Sequence, residues 1–395
     1  MEYKYARRMQ DISASEIREL LKLTEKQEVI SFAGGLPAPE LFPIKEIKEV
    51  NNEVLDHSGG QALQYATTEG YQPLRRWIAD RMNAQLGTSF EEDNIMITHG
   101  SQQALDLSGK VFLDEGDVVL CESPTYLAAI SAFKAYGCRF VEVETDAEGM
   151  IMPELEKALQ QYSTAKLIYI VPNFQNPTGR TWSLKRRQQL AEVSAKYNVM
   201  VLEDNPYGEL RYEGDFLPAV KSFDNTGNVV CTGTFSKIFC PGYRIGWIAG
   251  EKEVVRKYVL VKQGVDLQSN TIAQMVILAY LEKYDIDEHI SRIREVYRKR
   301  RDVAIEAINK YFPAGIQYTK PEGGLFLWIE VDSRVDTTAL LEKCLEQNVA
   351  FVPGSSFYPN THKRNTLRIN FSNTKEEQIA LGMERIGNVL KQFSL

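Results

Sequence analysis

The chain has 395 residues, with 46 Lys or Arg against 53 Asp or Glu and a formal charge of -7 at pH 7. That length exceeds the roughly 250 to 300 residues at which single cores stop growing, so two domains are expected. The acidic balance and the lack of a long basic run argue against nucleic acid or an anionic membrane surface as main partner, and no stretch approaches the ~18 apolar residues of a membrane span.

A small-molecule substrate is therefore expected. The opening MEYKYARRMQD has basic residues but no apolar stretch behind it, so a soluble cytoplasmic protein is the expectation. Cys121, Cys138, Cys231, Cys240 and Cys344 are odd in number, with no CxxC pair and no clustering with the four histidines. Free thiols and no metal site follow.

In chain order, SASEIRELLKL (13–23) reads as a helix with Ile17, Leu20 and Leu21 on one face and Arg18 beside it. Short apolar runs rich in Val and Ile follow: NIMIT (94–98), VVLCE (118–122), KLIYIV (166–171), VMVLE (199–203) and NVVCTG (228–233). Helical patterns lie between most of them, such as SQQALDLSGKVFL and SLKRRQQLAEVSAKY. This alternation predicts an α/β fold, with a large domain whose mostly parallel sheet is sandwiched by helices. The stretch 285–310 reads as a long amphipathic helix whose Arg and Lys residues, interrupted by Glu and Asp, form a solvated face. Beyond it GGLFLWIEV, NVAFVPGSSF and TLRINFS read as a smaller α+β domain. The expected boundaries are an arm over 1–45 joining the small domain, a large domain over 46–285 and a small domain over 286–395.

In an open parallel sheet, ligands bind beyond the carboxyl ends of the strands. NIMIT runs into His99, Gly100, Ser101 and Gln102; VVLCE into Tyr126; KLIYIV into Asn173 and Asn176; VMVLE into Asp204 and Tyr207; NVVCTG into Thr234, Ser236 and Lys237. Singly these are ambiguous. Ser101 suits a plain N-cap as well as a phosphate, Asp204 an Asx turn, and NPTG (176–179) an ordinary turn. Lys237 is the sharper signal, because a lysine between an apolar strand and IFCPGYRIGW is poorly placed to reach bulk water.

Together the strings NFQNPTGR (173–180), EDNPYGE (203–209) and TFSKIFCPGYRIGW (234–247) resemble the signature of fold-type I aminotransferases that use pyridoxal 5'-phosphate. The spacings agree, at 28 residues from Asn176 to Asp204 and 33 from Asp204 to Lys237. GGLPAPELFP (34–43), QYATTEGYQPLR (64–75), GSQQALDL (100–107), PEGGLFLW (321–328) and TLRINFS (366–372) extend the likeness over nearly the whole chain. It looks most similar to the 2-aminoadipate and kynurenine aminotransferase group.

The resemblance implies roles. Lys237 would hold the cofactor as a Schiff base and later move the substrate proton, its amine kept neutral by burial and Arg244. Asp204 would keep the ring nitrogen protonated, Tyr207 and Asn176 would hold the ring oxygen, and Tyr126 would stack on the ring or serve the core. Ser101, the backbone at Gln102, Arg244, and Ser236 or Thr234 would hold the phosphate. Tyr65 would reach the neighbouring subunit's phosphate in a homodimer with shared active sites, or simply pack at an interface. Arg368, with Asn176 and the Gly35 backbone, would clamp the α-carboxylate of amino-acid and 2-oxo-acid substrates, unless it is a surface arginine. Arg18 would read the substrate side chain or else pair with Glu16 or Glu19. The expected reaction moves an amino group from 2-aminoadipate, glutamate or an aromatic amino acid to a 2-oxo acid. A carbon-sulfur β-lyase is the alternative; a regulatory module is disfavoured by the roughly 15 residues ahead of the Arg18 helix.

Overall fold

A computed structural model of the chain describes residues 3–10, 28–361 and 363–393. Among them the strands are β1 (Ile30–Ser31), β2 (Ile95–Thr98), β3 (Val118–Ser123), β4 (Arg139–Asp146), β5 (Gly149–Met150), β6 (Ala165–Ile170), β7 (Met200–Asp204), β8 (Val229–Thr234), β9 (Gly246–Ala249), β10 (Gln317–Tyr318), β11 (Phe326–Glu330), β12 (Val349–Ala350), β13 (Val352–Pro353) and β14 (Thr366–Asn370). The helices are α1 (Ile44–Ala62), α2 (Gln72–Leu86), α3 (Gly100–Phe112), α4 (Leu127–Lys134), α5 (Met152–Gln161), α6 (Leu184–Tyr197), α7 (Lys252–Gln263), α8 (Thr271–Lys283), α9 (Ile286–Tyr311), α10 (Thr337–Glu346) and α11 (Glu376–Phe393).

Eight strands form one sheet in the order β2-β9-β8-β7-β6-β3-β4-β5. From β4 through β3, β6 and β7 to β8 the pairings are parallel. Strands β9 and β5 run opposite to the other six strands, so β2, at the edge beside β9, shares the direction of β8. Central strands β3, β6, β7 and β8 are buried along almost their whole length, which is why they read as unbroken apolar runs and not as alternating ones. The chain steps from β3 outward to β4, then returns to β6 on the other side of β3 and proceeds toward β8. Such a reversal opens a crevice at the strands' carboxyl ends.

A second sheet, β10-β11-β14-β13, is antiparallel throughout and lies with α9 and α11 packed on each other. Near the start of the chain β1 pairs in parallel with β12, Ile30 opposite Val349.

The structure departs from the sequence reading in three places. Strand β4 (RFVEVETD) buries only Phe140 and Val143 and carries four charged residues, so it escapes a search for apolar runs. Strand β9 is only four residues long and closely follows the short 3-10 turn Pro241–Tyr243, so it lay hidden inside the lysine motif. The arginines of α9 are not all on a solvated face: Arg300 and Arg301 are buried. Arg300 reaches Ser372 O and Glu40, and Arg301 reaches Pro321 O and Glu213. Fixed carbonyls that match the guanidinium fork make burial tolerable there.

Candidate active site

Four parallel strands end on one cleft of about 390 Å³, and the 98–102 turn closes one side of it. Gly35, Ser101, Gln102, Tyr126, Asn176, Asp204, Tyr207, Thr234, Ser236, Lys237 and Arg244 all line it. Arg368 stands behind Asn176, donating from Nη1 to Asn176 Oδ1 at 2.8 Å and from Nη2 to Ala33 O. Tyr65 does not line its own chain's cleft and is 79% exposed. Arg18 lies outside the described residues.

The 98–102 turn is shaped by close backbone approach. Gly100 has φ +69, and a Cβ on it would lie 2.6 Å from Nη2 of Arg244. A Cβ on Gly246 would lie 2.7 Å from the carbonyl carbon of Gly100 and 2.8 Å from the Ser101 nitrogen. Strand β9 thus presses against the first turn of α3, whose N–H groups and positive dipole end favour an anion. Arg244 itself occupies a left-handed conformation at φ 54, unusual for a residue with a side chain. Thr234 Oγ1 accepts the Ser236 N–H at 3.1 Å and lies 2.8 Å from Ser236 Oγ and 3.2 Å from Ile245 O. Its hydroxyl is engaged within its own loop.

At the cleft floor Asp204 is 2% exposed. Among the described residues its two oxygens receive neutral donors alone, Tyr169 Oη and Thr232 Oγ1, each at 2.8 Å. Burial pushes its carboxyl up to about 6, with those two donors opposing the shift. Lys237 moves the other way. Burial, then the positive charges of Arg244 and Arg368, lower its amine to about 8, and Nζ donates to Gly35 O at 2.8 Å. Tyr207 Oη lies 3.4 Å from Asn176 Nδ2, and burial raises its phenol. Arg368 lies over the rings of Phe326 at 4.4 Å and Phe357 at 5.0 Å, and its Nε has no partner among the described residues. Burial lowers it to about 10, which leaves it charged at neutral pH.

Three side chains that brace the site went unnoticed in the sequence. Tyr169 and Thr232 hold Asp204, and the wholly buried Arg187 donates to Asn173 Oδ1 at 2.6 Å, while Asn173 Nδ2 reaches Asn205 Oδ1 at 2.8 Å. A signal existed for Tyr169: a phenol inside the aliphatic run KLIYIV must find a partner when buried. Of the histidines, His99 is the N-cap of α3 and His289 is buried; neither lines the cleft.

This donor set fits pyridoxal phosphate. A buried carboxylate with no cationic partner among the described residues suits a protonated ring nitrogen, a lysine poised near neutrality suits an aldehyde, and the glycine-tight helix start beside Arg244 suits a phosphate. The family model described as "Aminotransferase class I and II" matches residues 16–386. Aromatic-amino-acid aminotransferase 1 of Thermococcus litoralis is 46% identical over 385 residues, covering 96% of this chain and 92% of that protein. The structure resembles Pyrococcus horikoshii kynurenine aminotransferase, solved with PMP, at TM-score 0.94 and 42% identity over 98% of this chain and 97% of that one. It also resembles LysN, the alpha-aminoadipate aminotransferase of Thermus thermophilus solved with N-(5'-phosphopyridoxyl)-L-leucine, at TM-score 0.91 and 38% identity over 99% and 98% of the two chains. These matches do not favour the lyase alternative. The chain belongs to the class I and II aminotransferase family, and its activity is amino-acid transamination with pyridoxal phosphate.

Proposed function

We propose that the chain moves an amino group from 2-aminoadipate, glutamate or an aromatic amino acid to a 2-oxo acid, with Lys237 as the covalent anchor of the cofactor. The observation that carries this reading is the pairing, across one cleft, of an amine lowered to about 8 with a buried carboxyl raised to about 6. Bound pyridoxal phosphate supplies an aldehyde that condenses with amines and a ring that delocalises the electron pair left at Cα. Lys237 Nζ would be the base that takes the substrate Cα proton and gives it back at the neighbouring carbon. Asp204 would hold the proton on the ring nitrogen. Tyr207 and Asn176 would donate to the ring oxygen, and Tyr126 would cover the ring. Ser101, the Gln102 backbone, Ser236 and Arg244 hold the phosphate; Ser236 is preferred over Thr234 because the Thr234 hydroxyl is already engaged. Arg368 would take the α-carboxylate beside Asn176 and Gly35, its Nε, which has no partner among the described residues, supplying a donor.

The small sheet, together with the arm whose β1 pairs with β12, forms the domain carrying Arg368, while the eight-stranded sheet carries the cofactor residues. The exposure of Leu63 and Tyr65 supports a homodimer in which Tyr65 reaches the phosphate of the neighbouring subunit. Among the described residues no helix is long and apolar enough to cross a membrane. All five cysteines are free thiols, which supports work in a reducing compartment such as the cytoplasm.

Substrate choice draws on the relatives' names, and Arg18 is its proposed reader. A panel of amino donors with 2-oxoglutarate tests the reading. Dicarboxylic and aromatic donors should both turn over, and Arg18→Ala should cut kcat/KM about 10- to 150-fold for dicarboxylic donors alone. An equal loss for both classes would remove Arg18 from substrate reading. Borohydride reduction of the holoenzyme followed by peptide mass analysis should find the cofactor on Lys237; label on another lysine would refute the anchor.

A further inference from the structure

Behind the first turn of α3 lies a polar cluster that no step of transamination uses. Lys262, in the last turn of α7, is fully buried, and its Nζ donates to Asp266 Oδ1 at 2.6 Å and to Gln103 Oε1 at 3.3 Å. Asp266 Oδ2 accepts from the Gln103 amide at 2.6 Å and meets His99 Nδ1 at 2.8 Å. Gln103 Oε1 accepts the backbone N–H of His99 at 2.9 Å. A buried ammonium is tolerated only with a counter-charge and further hydrogen bonds, so Lys262 pins Asp266 in place. Asp266 and Gln103 together then grip both ends of the turn from 99 to 103. That turn needs a grip, because Gly100 at φ +69 can adopt many backbone conformations and contributes no side chain to limit them. The same segment continues to Gln268, whose side chain accepts from Ala66 N beside Tyr65.

We propose that Asp266 and Gln103, anchored on Lys262, are positioning residues for the phosphate seat: they lock the turn so that the N–H groups at Ser101 and Gln102 face the cleft. The inference rests on the reading of that turn as the phosphate site. It makes a prediction opposite in sign to simple electrostatics. Removing a carboxylate near a phosphate should strengthen binding by charge alone, whereas loosening the turn should weaken it.

The test compares pyridoxal 5'-phosphate with pyridoxal, which shares ring and aldehyde but lacks the phosphate. Both are titrated into the full-length chain after removal of its cofactor, and the pyridoxal Kd divided by the pyridoxal 5'-phosphate Kd isolates the phosphate's contribution. Asp266→Asn and Gln103→Met should each reduce that ratio about tenfold, with pyridoxal affinity essentially unchanged. Gln103→Met keeps the Lys262–Asp266 pair, so it gives the answer even if Asp266→Asn does not fold. A ratio unchanged or increased in Gln103→Met overturns the proposal, and so does an equal loss for both ligands, which marks a general structural role. A wild-type chain that binds both ligands equally would instead remove the phosphate seat itself, and the proposal with it.

Discussion

Burial penalises charge, and at Asp204 and Lys237 that one cause acts in opposite directions. The carboxyl rises to about 6 and the amine falls to about 8. Capture of the cofactor aldehyde by the cofactor-free chain requires the neutral amine. Its rate should climb with pH and level off above about 8, as stopped-flow absorbance would record. Arg368→Leu removes one of the two cations that lower the Lys237 value, so the midpoint should shift upward; an unmoved midpoint would assign the whole shift to burial and Arg244. Asp204→Asn removes the carboxylate placed to hold a ring proton, so kcat should fall by about 10² to 10³ while the phosphate contacts retain the cofactor. Turnover near wild type, at full cofactor content, would mean that another group protonates the ring. Asp204 and Lys237 were legible because each stands at a strand end inside a distinctive string. Tyr169 and Thr232 were not, since they act through hydrogen bonds between neighbouring strands that one-dimensional spacing does not reveal.

Strand β9 and helix α3 show how tightly an element can depend on one missing side chain. A Cβ on Gly246 would meet Gly100, Ser101 and the Gly233 carbonyl oxygen, all at 2.7 to 2.8 Å. These are backbone atoms, which cannot rotate away. Gly246→Ala should therefore destabilise the protein by about 1 to 3 kcal/mol and loosen cofactor retention, read as a lower Tm and a lower bound fraction after dialysis. Gly242→Ala, in the 3-10 turn just ahead of β9 and with nothing within 4 Å of the added carbon, is the matched control and should stay within about 0.5 kcal/mol. Equal effects of the two would mean that glycine flexibility, not close approach, matters there. Helices and buried strands were readable from periodicity because their burial is continuous or regular. Strands β4 and β9 were not, one for its four charged residues and the other for its brevity.

At the scale of the whole molecule, Tyr65 is the residue whose place a single chain does not explain. It is 79% exposed, beside Leu63 at 73%, on a loop tied to Gln268. If it completes the neighbouring subunit's site, two inactive variants, Lys237→Ala and Tyr65→Ala, should restore activity when mixed. Random pairing makes half the dimers hybrids with one intact site of two, so about a quarter of wild-type activity is expected. No recovery, with subunit exchange demonstrated, would place Tyr65 in service to its own chain.

By itself the sequence determined the alternation of strand and helix, the residues at the strand ends and, through the strings around Asn176, Asp204 and Lys237, the cofactor chemistry. Those are local properties: apolar periodicity, turn residues, and reactive side chains at fixed spacing along one chain. The tertiary structure alone decided how the polar groups behind them are satisfied. Gln103 next to Asp266, Arg187 next to Asn173, and Tyr169 next to Asp204 are brought together by sheet order and helix packing. A buried polar group is tolerable only beside its partner, and which partner arrives is settled by the fold and not by distance along the chain.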